Sequence, residues 1–357
     1  MPALPPVTID LVLVGFGHVG RAFVRLLADR QERLRRDHGL VARTIGIATA
    51  RHGCAIDIAG LDTLRAAAMV ESGGRIDELH AGGSPPRTAR EVIEAAAAAR
   101  GTAGPMAMVE TTRLDVHRGE PAATHVRLAL AAGAHVVTAN KGPVACAYRE
   151  LADLAARAGR QFLFEGAVMD GIPVFNLVRE TLPAVSVTRL RGIVNTTTNY
   201  LIAAMEAGRD IAEALPEMQA RGIAEADASL DVDGWDAAAK AAALGNVLLD
   251  ASLTPAAVER TGIGHLTSEA VRDVRRRGRR LKLVASVWRD GAGVRARVAP
   301  EALDPDDLLA GIHGTMNALT IGTDRLGDIT IVQHGGGLVE TAYALLGDLV
   351  TLRRRLS

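Results

Sequence analysis

Lysine is nearly missing from this chain. Only Lys141, Lys240 and Lys282 occur in 357 residues, so 38 of the 41 basic residues are arginine. Cysteine is as scarce: Cys54 and Cys146 make no disulfide framework and have no CxxC spacing, which suits a reducing cytosol. Net charge is also absent, with 41 acidic residues against 41 basic ones, so no overall field draws the chain to nucleic acid or to a membrane surface. No uninterrupted apolar run is long enough to span a bilayer. The first residues, MPALPPVTID, lack the basic and apolar regions of a signal peptide. These absences point to a cytoplasmic protein with small-molecule partners. The one dense basic run, Arg275-Arg276-Arg277-Gly278-Arg279-Arg280, has no interleaved aromatics and reads as a solvated helix end.

Against that background the three lysines stand out. Arginine is not deprotonated in a protein, whereas a lysine is tuned toward neutrality by burial or by a second cation. Each retained lysine is therefore a candidate acid–base group, to be weighed by its surroundings.

The chain is long enough for two domains with substantial cores. Residues 9–14 form a short apolar, β-branched run, followed by GFGHVG and an amphipathic stretch to about Leu27. A second strand is expected at about 43–49, helices at 62–70 and 88–100, a strand at 105–110, a helix at 121–132 and a strand at 134–138. This alternation predicts an α/β fold of the Rossmann type, a doubly wound parallel sheet, over residues 1–164. After about residue 165 longer strands come in succession, at 185–194, 283–288 and 295–298, with helices at 198–207, 210–221, 236–250 and 265–277. That texture predicts a second, α+β domain over 165–319 with a mixed or antiparallel sheet. From Gly311 the chain reads as strand, glycine-rich turn and helix, with residues from about 320 to 357 packing back near the first domain.

Gly15, Gly17 and Gly20 match G-x-G-x-x-G directly after a buried strand and at the opening of a helix. That context predicts dinucleotide binding, with the pyrophosphate at the helix N-terminus. The acid expected at the end of the second strand to read the ribose is missing from Ala48-Thr49-Ala50-Arg51-His52. Arg51 suits a 2′-phosphate instead, so NADP is slightly favoured over NAD.

Five segments carry a resemblance to one family. They are VVTANKGPVA (136–145), FEGAVMDGIPVFN (164–176 with Phe164 leading), GIVNTTTNYL (192–201), EADASLDVDGWDAAAK (225–240) and Gly335-Gly336-Gly337 followed by Thr341-Ala342. In this order, and over about residues 9–350, the chain resembles homoserine dehydrogenases in a short form without the regulatory extension. The resemblance implies NAD(P)-dependent interconversion of L-homoserine and L-aspartate 4-semialdehyde. It also implies a homodimer formed through the second domain's sheet.

Residue roles follow from the matched positions. Lys240 corresponds to the family's acid/base lysine, with Asp236 four residues earlier on the same helical face. Lys141 is placed to assist and to contact substrate or the nicotinamide end, and two converging lysines are expected to lower each other's pKa. Glu225 corresponds to the residue that binds the substrate's ammonium group, and Asp231 belongs with Asp236 among the substrate-binding acids. Cofactor contacts are expected at Gly15, Phe16, Gly17, His18, Val19 and Gly20. Further ones are expected at Arg51, Thr111, Thr138, Asn140, Lys141 and Gly336. Glu165, Val168, Asp170 and Ile172 align with a loop that holds a monovalent cation, Na+, through hard oxygen ligands. Lys282 lies outside any acid–base motif and reads as structural.

Two positions depart from the family pattern. Thr196 stands where a glycine is usual, and Asp170 stands where a small residue is usual. Both leave open a related NAD(P)-dependent dehydrogenase acting on another amino-acid semialdehyde or amino alcohol. A non-catalytic dinucleotide-binding regulator is the reading from another class. It predicts damaged acid–base positions, and here Glu225, Asp236 and Lys240 are intact.

Overall fold

The computed structural model describes residues 5–101, 103–220 and 227–356. Two six-stranded sheets organise the chain. The first contains β1 (Val7–Val14), β2 (Leu40–Ala48), β3 (Cys54–Ile56), β4 (Met106–Glu110), β5 (His135–Thr138) and β6 (Phe162–Leu163), in the order β3-β2-β1-β4-β5-β6. All neighbours are parallel except β2 and β3. Its strands are continuous apolar runs because both faces are covered. On β1, Ile9, Leu11 and Leu13 pack to one side while Val12 and Val14 pack to the other. The helices His18–His38 and Leu338–Arg355 share the first of these layers, joining Phe23 and Val24 to Leu345, Leu349 and Leu352.

The second sheet contains β7 (Val187–Ile193), β8 (Glu259–Arg260), β9 (Arg280–Asp290), β10 (Gly293–Leu303), β11 (Asn317–Thr323) and β12 (Asp328–Gln333). Its order is β12-β11-β7-β9-β10-β8, antiparallel apart from β10 and β8. One face is packed by the helices Thr196–Glu206, Trp235–Leu248 and Ser268–Arg276. The other is covered at one end, where Leu309, Ala310 and Ile312 sit on Ile193, Val284, Leu303 and Ala318.

Several elements differ from the expectation: the helix after the glycine turn runs on to His38, and the helix Lys141–Ala158 and the short strands β6 and β8 were not foreseen. β9 and β10 extend beyond the buried core into an exposed hairpin, whose paired ends carry no hydrophobic pattern to announce them. β12 follows β11 before the glycine-rich turn, so the second sheet runs on to Gln333. It is a half-exposed edge strand, paired with β11 where the sequence reads as one strand from Gly311. β3 is only three residues long.

The helix Trp235–Leu248 approaches the helix Lys141–Ala158 closely because its buried face is alanine: Ala238, Ala239, Ala241 and Ala242 are all enclosed. The second helix is broken at Ala147, whose backbone is non-helical. Carbonyls near such a break lose their partners along the helix. The buried Asn246 amide supplies donors to the carbonyls of Val144 (3.2 Å) and Ala145 (3.3 Å), and so joins the two helices at that break.

Lys282 lies on β9 and is 1 % exposed. Its ammonium donates to Asn199 Oδ1 (3.1 Å) and to the Ile312 carbonyl, tying sheet to helix and to the covering segment. Burial pushes it down to about 8, with Arg280 acting in the same direction and Glu206 opposing. A neutral amine keeps two protons, enough for both acceptors. Because the folded pKa lies below the ordinary 10.5, the penalty for burying the charge is complete below pH 8 and is relieved as pH rises toward 10.5. Denaturant titrations at several pH values should therefore show wild type gaining about 3 kcal/mol relative to Lys282→Met across that window. A constant difference would show that the amine titrates normally.

Candidate active site

The C-terminal ends of β1, β4 and β5 open onto a cleft of about 470 Å³ between the two sheets. Ligands bind at this edge of open parallel sheets. The glycine turn lies at its rim. Gly15 has φ +88°, and a side chain there would strike the backbone of Thr111 and Thr112 at 2.6–2.7 Å. The position in front of Gly17 is open, with nothing within 4 Å of where a Cβ would be. One glycine is thus required by the protein's own packing and the other leaves the backbone bare toward the ligand. The helix that follows has no acidic residue in its first turn to oppose an anion. The residues present fit a dinucleotide.

The other expected cofactor residues divide. Val19, Thr111, Asn140 and Lys141 line the cleft, and the Thr111 hydroxyl donates to the Gly15 carbonyl at 2.7 Å. His18 and Arg51 are exposed. Phe16 and Thr138 turn no side chain to the cleft. Phe16 is buried in the layer beneath the first helix, so only its backbone faces the turn. Thr138 is completely enclosed and its hydroxyl is engaged with Glu110. Gly336 packs against the Asp170 carboxylate and the Gln333 amide so closely that no side chain fits.

Asp236 occupies the centre. Lys141 Nζ lies 3.1 Å from its Oδ1, and Lys240 Nζ lies 3.1 Å from its Oδ2. The two lysines come from different helices. Lys141 is the first residue after the Asn140 cap, and Lys240 is one turn beyond Asp236. Asn195 Nδ2 donates to both Asp236 Oδ2 (2.8 Å) and Asp231 Oδ1 (2.7 Å), holding the two acids apart. Lys240 also donates to the Val194 carbonyl at 2.7 Å, which leaves one of its three protons for a ligand. Glu225 lies outside the described residues.

Burial raises the Asp236 carboxyl, but the two ammonium groups and the Asn195 amide outweigh it and hold the group well below the usual carboxylate range. Burial together with Asp236 pushes Asp231 up. For Lys240, burial acts downward, yet Asp236, Asp170 and Asp231 outweigh it and the ammonium is held above its ordinary value. For Lys240 this corrects the expectation that a second lysine in the cleft would lower it. A carboxylate sits between the two lysines, so at Lys240 attraction exceeds repulsion.

In the loop after β6, the Glu165 carboxylate accepts the N–H groups of Phe175 (2.7 Å) and Asn176 (2.8 Å). Val168 is buried and Ile172 partly so. Asp170 adopts φ 48° and turns its carboxylate toward the cleft. Beside Glu165 lies Asp348, whose Oδ2 accepts the Glu165 N–H at 2.9 Å while its buried Oδ1 has no partner among the described residues.

Sequence reasoning passed over Glu110, which closes β4 and is fully buried. Its Oε1 accepts the N–H of Thr112 (2.8 Å) and the Thr112 hydroxyl, while its Oε2 meets the Thr138 hydroxyl at 2.9 Å. The Thr138 hydroxyl also lies 3.1 Å from the Glu110 carbonyl and accepts the Asn140 N–H at 2.9 Å. One hydroxyl proton cannot serve both Glu110 oxygens. A protonated carboxyl donating to Thr138, whose own proton goes to the carbonyl, accounts for both Thr138 contacts. Burial pushes this carboxyl up, as that pattern requires. Glu110 thus ties the Thr112 loop to the loop that begins the Lys141 helix. An acid ending an otherwise apolar strand was the only signal in the sequence.

Glu110→Gln reproduces this pattern, with its amide donating to Thr138, and should keep wild-type stability and cofactor KM. Glu110→Ala should lose about 2–3 kcal/mol and weaken cofactor binding. If thermal melts and cofactor titrations find Gln as damaging as Ala, the group works as an anion.

Comparison with known proteins agrees with this geometry. The homoserine dehydrogenase profile matches residues 173–350, and the profile of the homoserine dehydrogenase NAD-binding domain matches residues 113–165. An NAD(+)-dependent homoserine dehydrogenase of Pseudomonas canavaninivorans is 37% identical over 345 residues, covering 96% of each chain. A homoserine dehydrogenase of Methanocaldococcus jannaschii is 34% identical over 96% of this chain and 97% of its own. Among solved structures, a hyperthermophilic archaeal homoserine dehydrogenase in complex with NADPH superposes with a TM-score of 0.79 at 28% identity, covering 98% of both chains. With the glycine cradle and the Lys141–Asp236–Lys240 cluster in place, the chain belongs to the homoserine dehydrogenase family, NAD(P)-dependent oxidoreductases that act on a CH–OH group.

Proposed function

We propose that Lys240 is the proton shuttle for the interconversion of L-homoserine and L-aspartate 4-semialdehyde in the cytoplasm, with Lys141 assisting and Asp236 positioning both. The carrying observation is the pair of 3.1 Å contacts from the two ammonium groups to one carboxylate at the edge of the cofactor cradle. NAD(P) supplies the hydride acceptor or donor when bound. In oxidation, the neutral Lys240 amine takes the hydroxyl proton as the carbon gives up its hydride. In reduction, the ammonium returns that proton to the aldehyde oxygen. Asp231, and Glu225 by resemblance, would hold the substrate's ammonium group.

An ammonium held above its ordinary value is ready for reduction at neutral pH and must lose a proton before oxidation. Homoserine oxidation, followed by nicotinamide absorbance, should therefore climb with pH into the strongly alkaline range while reduction does not. Lys240→Met and Lys141→Met should each lower turnover by roughly 10²–10⁴-fold. Near-normal turnover in either removes that residue from the mechanism. Turnover of a different amino alcohol but not of homoserine would transfer the same chemistry to a related substrate. Tight cofactor binding without any turnover would favour a regulator.

Three finer readings go with this one. NADP is favoured over NAD because Arg51 is exposed beside an acid-free strand end. Arg51→Ala should then raise KM for NADP+ and leave that for NAD+ unchanged. The loop carrying Glu165, Val168, Asp170 and Ile172 would hold Na+, supported by a buried carboxylate beside the orphaned Asp348 Oδ1. The melting temperature should rise with NaCl beyond its rise with the chloride of a bulky organic cation. A homodimer would form on the helix-free part of the second sheet, where Thr320 and Thr330 face each other across β11 and β12. A monomeric mass in light scattering at micromolar concentration would exclude it.

A further inference from the structure

Thr196 and Asp170 both line the cleft, and one chain of hydrogen bonds joins them. The Asp170 carboxylate accepts from Gln333 Nε2 (3.2 Å) at Oδ2, while the Thr341 hydroxyl, whose one proton is divided with the Gly337 carbonyl (2.9 Å), lies 3.1 Å from Oδ1. Gln333 Oε1 accepts from Asn317 Nδ2 at 3.3 Å, and the same Asn317 nitrogen donates to Thr196 Oγ1 at 2.9 Å. Asn317 and Gln333 are each 3 % exposed, so solvent does not compete for these bonds.

The chain has a direction. A carboxylate only accepts, so the nitrogen of Gln333 must face Asp170 and its oxygen must face Asn317. Asn317 must then present its nitrogen to both Gln333 and Thr196. Turning Asn317 alone opposes two amide oxygens. Turning Gln333 alone, or both amides, sets an oxygen against the carboxylate. The orientation is kept even though it leaves Asn317 Oδ1 buried without a partner among the described residues. At the far end, the Thr196 oxygen is therefore an acceptor, and its own proton is left for the cleft.

We infer that Thr196 is a substrate-binding residue, a hydroxyl donor to the carboxylate of the amino-acid substrate, oriented by Asp170 through Gln333 and Asn317. This rests on the reading of the cleft as an amino-acid site. The reacting oxygen exchanges its proton with Lys240, so the carboxylate is the acceptor still to be matched. The helix that begins at Thr196 has no acidic residue in its first turn to repel one. Gln333, Asn317 and Asp170 are positioning residues that act through the hydroxyl.

The test is steady-state kinetics on Thr196→Val, Thr196→Ser, Gln333→Met and the double variant T196V/Q333M. Loss of one charge-assisted hydrogen bond should raise KM for homoserine about tenfold in Thr196→Val, with kcat and cofactor KM within about twofold of wild type. Thr196→Ser keeps the proton and should restore KM. Gln333→Met releases Asn317 and should also raise KM. The double variant should be no worse than the poorer single one, because both changes remove the same bond. If Gln333→Met does not fold, Asn317→Leu takes its place, since it removes the donor to the Thr196 hydroxyl directly. A wild-type KM in Thr196→Val, or KM effects that multiply in the double variant, overturns the inference and leaves the proposed function standing. Wild-type protein that neither turns over nor binds homoserine, by calorimetry with cofactor present, overturns both.

Discussion

Asp236 carries two ammonium groups, and the arrangement of the molecule follows from the need to bring them there. At about 3 Å and an effective dielectric of ~20, each pair gains roughly 5 kcal/mol, while withdrawing each ion from water costs several. The cluster is therefore close to neutral as a source of stability. What it fixes is geometry. Lys141 enters from the edge of the first sheet and Lys240 from a helix packed on the second, so the cluster forms only when the two layers are in register. The alanine face of the Trp235–Leu248 helix and the Asn246 amide at the Ala147 break supply that register without using charge.

The same cluster sets the protonation chemistry. Two lysines in one cleft repel, and had they faced each other directly, burial and repulsion would both have driven a proton off. For Lys240 the intervening carboxylate reverses this, and Asp170 and Asp231 add to it. The resting site is thus an acid awaiting an aldehyde more than a base awaiting an alcohol. Asn195 makes the crowding of carboxylates tolerable, because one amide nitrogen donates to Asp231 and Asp236 together.

How much of this could be read from the residues depended on the distance over which each feature is encoded. The glycine turn, the strand before it and the start of the helix after it are contiguous and stand where they were expected, although the helix runs on to His38. Asp236 and Lys240 lie one helical turn apart, so their shared face was legible; that Lys141 would meet the opposite oxygen of the same carboxylate was not. The error over lysine pKa arose there, because the motifs named both cations without the anion's position between them. Glu110 was illegible for a similar reason. It gains meaning only when the ends of β4 and β5 lie side by side, and nothing local distinguishes it from a strand's last polar residue. β12 was missed although Ile329-Thr330-Ile331-Val332 is a β-branched run, because the chain from Gly311 to the glycine-rich turn was read as one strand and the structure folds it into two.

Thr196 and Asp170 are the sharpest case. In the sequence they are two separate departures from a pattern, each a reason to doubt the pocket. In the fold they stand at opposite ends of one directed set of bonds, so a change at one has its physical counterpart at the other. Gly336 belongs to the same arrangement, since any side chain there would displace the carboxylate that gives the set its direction. A hydroxyl in place of hydrogen at residue 196 would, with an apolar residue at 170, be free to turn either way. With a carboxylate at 170 its oxygen is fixed as the acceptor from Asn317, and its proton is left for a ligand. The two departures are thus better understood as one alteration of the pocket, made at two points that the chain brings together only after both sheets have formed.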